Sequence, residues 1–233
     1  MMPATTESPT AYARLLLEDD RLSEEEPLSR AFHERFPAHL VGLRTTDGIW
    51  PEHSKNTEAR KKYEEGHRAL YEEKDPAWAI RAYDAAIDLD PEYLHPWVAL
   101  GIACVMDNTA ASLDMAEGIF EQLSELDEES GLSRELRSMI RQNLAYVGVH
   151  RYRATGERAQ LERADAGYAE ADALAEQERV ELLCPWTFVK CELGEDAEAA
   201  RIWERAKKVV ITRDILLEYA SKYTPLRRFF DGL

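Results

Sequence analysis

A triplet recurs four times along this chain: a small residue, a large aromatic four positions later, and a small or aliphatic residue three positions after that. The copies are Ala79/Tyr83/Ala86, Ala116/Phe120/Leu123, Ala164/Tyr168/Ala171 and Ala199/Trp203/Ala206. The first and last steps between copies are 37 and 35 residues, and the middle step is 48. Offsets of four and three put all three members on one face of an α-helix, whereas a strand would send them to opposite faces. A period in the mid-thirties leaves room for two helices and two turns. Such spacing fits stacked helix pairs, each burying its apolar face on its neighbours, with an unrelated α-bundle of chance spacing as the alternative.

The rest of the pattern agrees. From Glu58 to Val210 apolar residues recur at three and four, strand-like alternation is nearly absent, and Gly and Pro sit mainly at the punctuation points. The partner helices preceding the triplets are expected over 58–72, 93–106, 133–154 and 179–193. Gly66, Gly101 and Gly148 supply small residues in three of them, while Gly156 and Gly194 mark turns. The third pair carries an insertion at Asp127–Gly131 and a first helix two turns longer than usual. In the fourth, Pro185 falls inside the first helix and Trp186 replaces the small residue, so that helix either starts late or is kinked.

Ala79, Tyr83, Ala86 and Pro91, followed by Trp97, Leu100, Gly101 and Cys104, resemble the two halves of a tetratricopeptide repeat (TPR), a helix–turn–helix unit. In that reading Gly101 lets paired helices approach, Tyr83 fills the space between neighbouring pairs, and Pro91 ends its helix. The resemblance covers about two-thirds of the chain. It implies an all-α, right-handed TPR-like superhelix of about four helix pairs over 55–210. Residues 1–54 form an N-terminal arm, and residues 211–233, with Leu216, Leu217 and Tyr219, a capping helix. In the arm, Ser8-Pro9 and the capping box Ser23–Glu26 open two short helices. Leu28, Phe32 and Phe36 lie four apart on the second, and Leu40, Val41, Leu43, Ile49 and Trp50 follow. So dense an apolar segment is expected to pack on the solenoid, capping the first repeat or covering part of the concave face.

Composition narrows the function. Against 29 Lys and Arg stand 45 Asp and Glu, a net charge of −16, which disfavours binding to nucleic acid or anionic lipid. No run of residues is long and apolar enough for a membrane span, and the acidic, interrupted start does not read as a signal peptide. Cys104, Cys184 and Cys191 are too few and too scattered for a disulfide framework. A cytoplasmic protein is expected. Motifs for phosphate loops, dinucleotide binding, serine hydrolysis and zinc hydrolysis are all missing, so the expectation is no enzyme, no cofactor and no metal site. His67, His95 and His150 come from three separate helices and read as partner-contacting or solvated side chains rather than as ligands.

In the resembled family the first helices of successive pairs line a concave groove that binds peptides or partner helices. Mapped here, that face carries Tyr63, His67 and Tyr71, then His95, Val98, Ile102 and Met106, then Tyr146, His150 and Arg153, and finally Phe188. The basic and amide side chains with which the family clamps a C-terminal carboxylate are not at these positions. The implied partner is therefore an apolar or amphipathic segment of another protein. Two other readings stay open: a closed structural or self-associating unit whose groove is filled by its own arm, and an enzyme without a recognisable motif.

Overall fold

The computed structural model describes residues 54–125, 132–209 and 213–229. Among these, helix accounts for 86% and there is no strand, so the described residues are all-α, with consecutive helices packed together. The arm and the insertion at 127–131 lie outside the described residues, as do the sequence-based expectations placed on them.

The chain divides into two compact units, Met1–Ser133 and Arg134–Leu233. In the first, α1 (Thr57–Arg68) runs into a widened π-turn (Ala69–Glu73), followed by α2 (Pro76–Leu89), α3 (Leu94–Asp107) and α4 (Ala110–Ser124). In the second, α5 (Arg134–Thr155), α6 (Arg158–Leu174), α7 (Val180–Leu193), α8 (Asp196–Val209) and α9 (Arg213–Lys222) precede a 3-10 segment (Thr224–Phe229). The four helices expected ahead of the triplets are α1 with its π-turn, α3, α5 and α7, and α5 is the longest at 22 residues. Three helices of the first unit are capped at their starts by side chains. Asn56 accepts from the amides of Glu58 and Ala59, Asp75 accepts from Trp78 with Pro76 in the first turn, and Thr109 accepts from Ser112. Asn108 and Gly194 leave their helices in the left-handed region, at φ 55° and 85°.

All twelve triplet residues are at most 1% exposed. Burying each aromatic ring contributes roughly 1.5–3 kcal/mol, so this repeated face is a large share of the core. One assignment from sequence needs correcting. The rings do not simply fill space between neighbouring pairs: Tyr83 and Phe120 lie against the glycine of their own partner helix. A Cβ on Gly66 would stand 2.7 Å from the Tyr83 ring, and one on Gly101 would stand 2.5 Å from Phe120 Cζ. The glycine is the socket for the ring. The turn between pairs is tied by Trp97, whose indole Nε1 donates to the Pro91 carbonyl at 3.0 Å.

The fourth pair departs from the pattern as its sequence suggests, and the structure shows how. Helix α7 starts at Val180, so a late start is not the solution, and Pro185 sits inside it. Trp186 turns back toward α6, where its Nε1 donates to Asp165 Oδ1 at 2.7 Å. Lys190, one turn later and only 8% exposed, donates to Asp165 at 2.8 Å and to Glu195 at 2.7 Å. Desolvation alone would lower the Lys190 pKa, but these two carboxylates outweigh it and raise it. Stability from this group is therefore present below its ordinary pKa and is lost only as pH rises through the raised value, in the alkaline range. Asp165→Ala should cost about 2 kcal/mol, since it strands an indole N–H and half of an ion pair. Asp165→Asn keeps the indole acceptor and should cost less, a difference that urea unfolding would read.

Candidate functional site

In the first unit, Tyr63 and His67 sit one turn apart on α1, and Tyr71 continues the same face in the π-turn. His67 and Tyr71 rings lie 4.5 Å apart, and Tyr63 stands 6.3 Å from His67. From the next pair, Tyr93 meets Tyr63 edge-on at 5.5 Å, and His95 of α3 stands 6.3 Å from it. Behind them Tyr83 lies 5.7 Å from Tyr63. Edge-to-face and tilted rings at these separations attract one another beyond simple burial. The structure thus brings Tyr63, His67, Tyr71 and His95 into one aromatic and imidazole cluster. Sequence reasoning placed Tyr93 at the start of the helix over 93–106 and off its groove face; it is instead the residue before α3, in extended backbone, and turns its ring onto Tyr63. On α3, Ile102 and Met106 follow His95 at two and three turns; Ile102 is half-buried and Met106 is 44% exposed. Tyr71 is 43% exposed at the other end. Val98 is buried and belongs to the core instead. The Tyr83 hydroxyl is buried and finds no hydrogen-bond partner among the described residues, and burial raises its pKa.

The second unit presents its face differently. Tyr146 and His150, one turn apart on α5, meet edge-on at 4.7 Å, and Arg153 lies exposed near the helix end. Phe188 of α7 is not available as expected from sequence. It is 5% exposed because the Tyr223 ring, from the C-terminal segment, stacks on it at 4.7 Å. The same segment brings Lys222 over the Tyr146 ring at 5.0 Å and within hydrogen-bonding reach of its hydroxyl. Arg153 lies over Tyr223 at 5.7 Å. So the chain's own C-terminal residues cover part of this face. No repeat signal marks Tyr223, which lies beyond the last triplet.

Burial first, then the positive charges of Lys222 and Arg153, pull the His150 pKa from the ordinary 6.5 down to about 4. With the folded value below the unfolded one, the unfolded chain binds the extra proton between these pH values. Stability from this group is present above about pH 6.5 and is lost as pH falls toward 4. His150→Gln should flatten the urea midpoint across that window. If the wild-type slope persists in the variant, other groups carry it.

His67 and His95 flank Tyr63 in the first unit, while His150 stands in the second. Among the described residues no three His, Cys, Asp or Glu side chains are grouped to hold a metal ion. Burial pushes the Cys184 thiol up to about 12 and the buried Cys104 thiol higher still, so neither is a reactive thiolate at neutral pH. No described helix is long and apolar enough to cross a membrane. Compared with known proteins, the chain matches no family model, no curated protein and no solved structure.

Proposed function

We propose that the chain is a TPR-like adaptor, a right-handed superhelix of helix pairs that binds an apolar or amphipathic segment of another protein without catalysing a reaction. Its place of action in this reading is the cytoplasm. The observation that carries it is the cluster of Tyr63, His67, Tyr71 and His95, with Tyr71 and Met106 still 43% and 44% exposed after folding. Aromatic rings and a methionine supply contact area with little directional demand, the character of surfaces that accept a partner helix. Tyr146, His150 and Arg153 belong to the corresponding face of the second unit.

The test uses an amphipathic, Leu-rich helical peptide carrying a fluorophore and the full chain. Tyr71→Ala and Met106→Ala remove exposed side chains, so both variants should melt like the wild type and together weaken binding at least about tenfold. Unchanged affinity in the double variant overturns the reading. A second reading is favoured by the apolar density of residues 28–50, namely that the arm occupies this face. A photo-crosslinker at position 106 that joins the chain to its own arm, in place of the peptide, would support that alternative.

A further inference from the structure

The second unit holds an unbalanced pair of positive charges. Several other basic side chains in it meet acids, while Arg134 and Arg227 donate to backbone carbonyls. Arg205 contacts Asp172 and Glu178, Arg179 contacts Glu135, and Lys190 contacts Asp165 and Glu195. Arg228 contacts Asp196 and Arg201 contacts Glu198. Arg153 and Lys222 differ. Both are exposed, and among the described residues their contacts are tyrosines: Arg153 over Tyr223, and Lys222 over Tyr146 and Tyr223 with a hydrogen bond to the Tyr146 hydroxyl. They come from different elements, α5 and the end of α9, yet each lies 5.7 Å from the centre of the same Tyr223 ring. The carboxylate of Glu192 is engaged by the Tyr152 hydroxyl at 2.6 Å, and Glu181 and Glu218, the latter one turn before Lys222 on α9, both act on Tyr219. In a chain of net charge −16, two cations over one tyrosine ring with no acid paired to them among the described residues are a local reversal of sign.

We propose that Arg153 and Lys222, with the Tyr146 hydroxyl between α5 and the C-terminal segment, form a docking site for acidic side chains of a partner peptide. The proposal rests on the reading of this protein as a peptide-binding adaptor and names the partner's chemistry at the second unit. Guanidinium and ammonium groups make charge-assisted hydrogen bonds to carboxylates, and here the tyrosine rings lie beneath the charged groups themselves. Side-chain carboxylates fit better than a chain terminus. A terminal carboxylate is held by several convergent donors, a backbone nest or a set of basic and amide side chains, whereas this site offers two long cationic side chains and a tyrosine hydroxyl. The surrounding negative charge turns away long polyanions and leaves room for a short acidic stretch with apolar neighbours.

The experiment measures fluorescence anisotropy of the full chain with a short amidated peptide of Glu and Leu, its Gln-for-Glu twin, and a neutral peptide with a free C-terminus. The Glu peptide should bind, and the Gln twin and the neutral peptide should bind at least about tenfold more weakly. Arg153→Gln and Lys222→Gln should each weaken the Glu peptide about tenfold, Lys222→Arg should retain it, and added salt should weaken it. Both positions are exposed, and circular dichroism melting checks that each variant folds. Equal binding of the Glu and Gln peptides, insensitivity to both substitutions, preference for the free C-terminus, or equal displacement by inorganic phosphate would each overturn the proposal. Tyr71→Ala with Met106→Ala is run alongside. Loss confined to that variant tells against this site, while loss confined to the Arg153 and Lys222 variants supports it and leaves the first-unit reading to its own peptide.

Discussion

Replacing Gly101 by leucine is expected to unfold much of the first unit at temperatures where the wild type is intact. Even alanine should be felt. A Cβ at this position would stand 2.5 Å from Phe120 Cζ and 2.8 Å from Cε2, and the Phe120 ring is fully buried with nowhere to swing. Overpacking of this kind costs about 1–3 kcal/mol, partly offset in Gly101→Ala by roughly 1 kcal/mol of better helix propensity. Leucine adds three more carbons to the same closed socket and should exceed the alanine cost severalfold. The control is a second-site change: Phe120→Leu alone destabilises by opening a cavity, but combined with Gly101→Ala it should recover part of the loss. Additive losses in the double variant would mean that the two residues do not meet.

Removing the chain from Tyr223 onward should be nearly as damaging to the second unit. Tyr223 is 1% exposed and Leu226 is fully buried, and the Trp203 and Phe229 rings stack at 5.9 Å. Loss of one such aromatic typically costs about 3–5 kcal/mol, so Tyr223→Ala alone should lower the melting temperature by many degrees. The truncation also bares Phe188, and dye binding to newly exposed apolar surface should accompany the lower melting point. A truncated chain that melts like the full one and binds no dye would show that this segment is an ornament rather than a lid on the core.

The helices themselves were plainly legible in the residues. Triplets such as Ala164/Tyr168/Ala171 report a helical face because offsets of four and three have one geometric solution, and burial then follows from their chemistry. The first helix of each pair could be bounded to within a residue or so for the same reason, with Gly156 and Gly194 at positive φ where turns were expected. The candidate site was legible only in part. Tyr63, His67 and Tyr71 share one element and are brought together by local spacing alone. The cover on Phe188 depends on Tyr223, which lies 35 residues further on and reaches α7 only by tertiary folding. The reach of Trp186 back to Asp165 is of the same kind. A helical pattern states which face is apolar but not which distant segment arrives there, and that contact decides which side chains stay exposed.

The packing of each helix chiefly on the one before and after it also bears on how quickly the chain reaches its native state. Pairs such as α1 with α2, α3 with α4, α5 with α6 and α7 with α8 close loops of only a few residues. Small loops lose little entropy on closure, and chains rich in such near-neighbour contacts cross low barriers. Each Gly-and-ring socket joins two consecutive helices, so a hairpin of helices can acquire its defining contact before the rest of the unit is ordered. The late, slow event in the second unit should be the arrival of Tyr223 and Leu226, whose partners on α7 lie tens of residues upstream. A refolding trace would then show helix signal recovering ahead of the protection of Trp203 from quenchers.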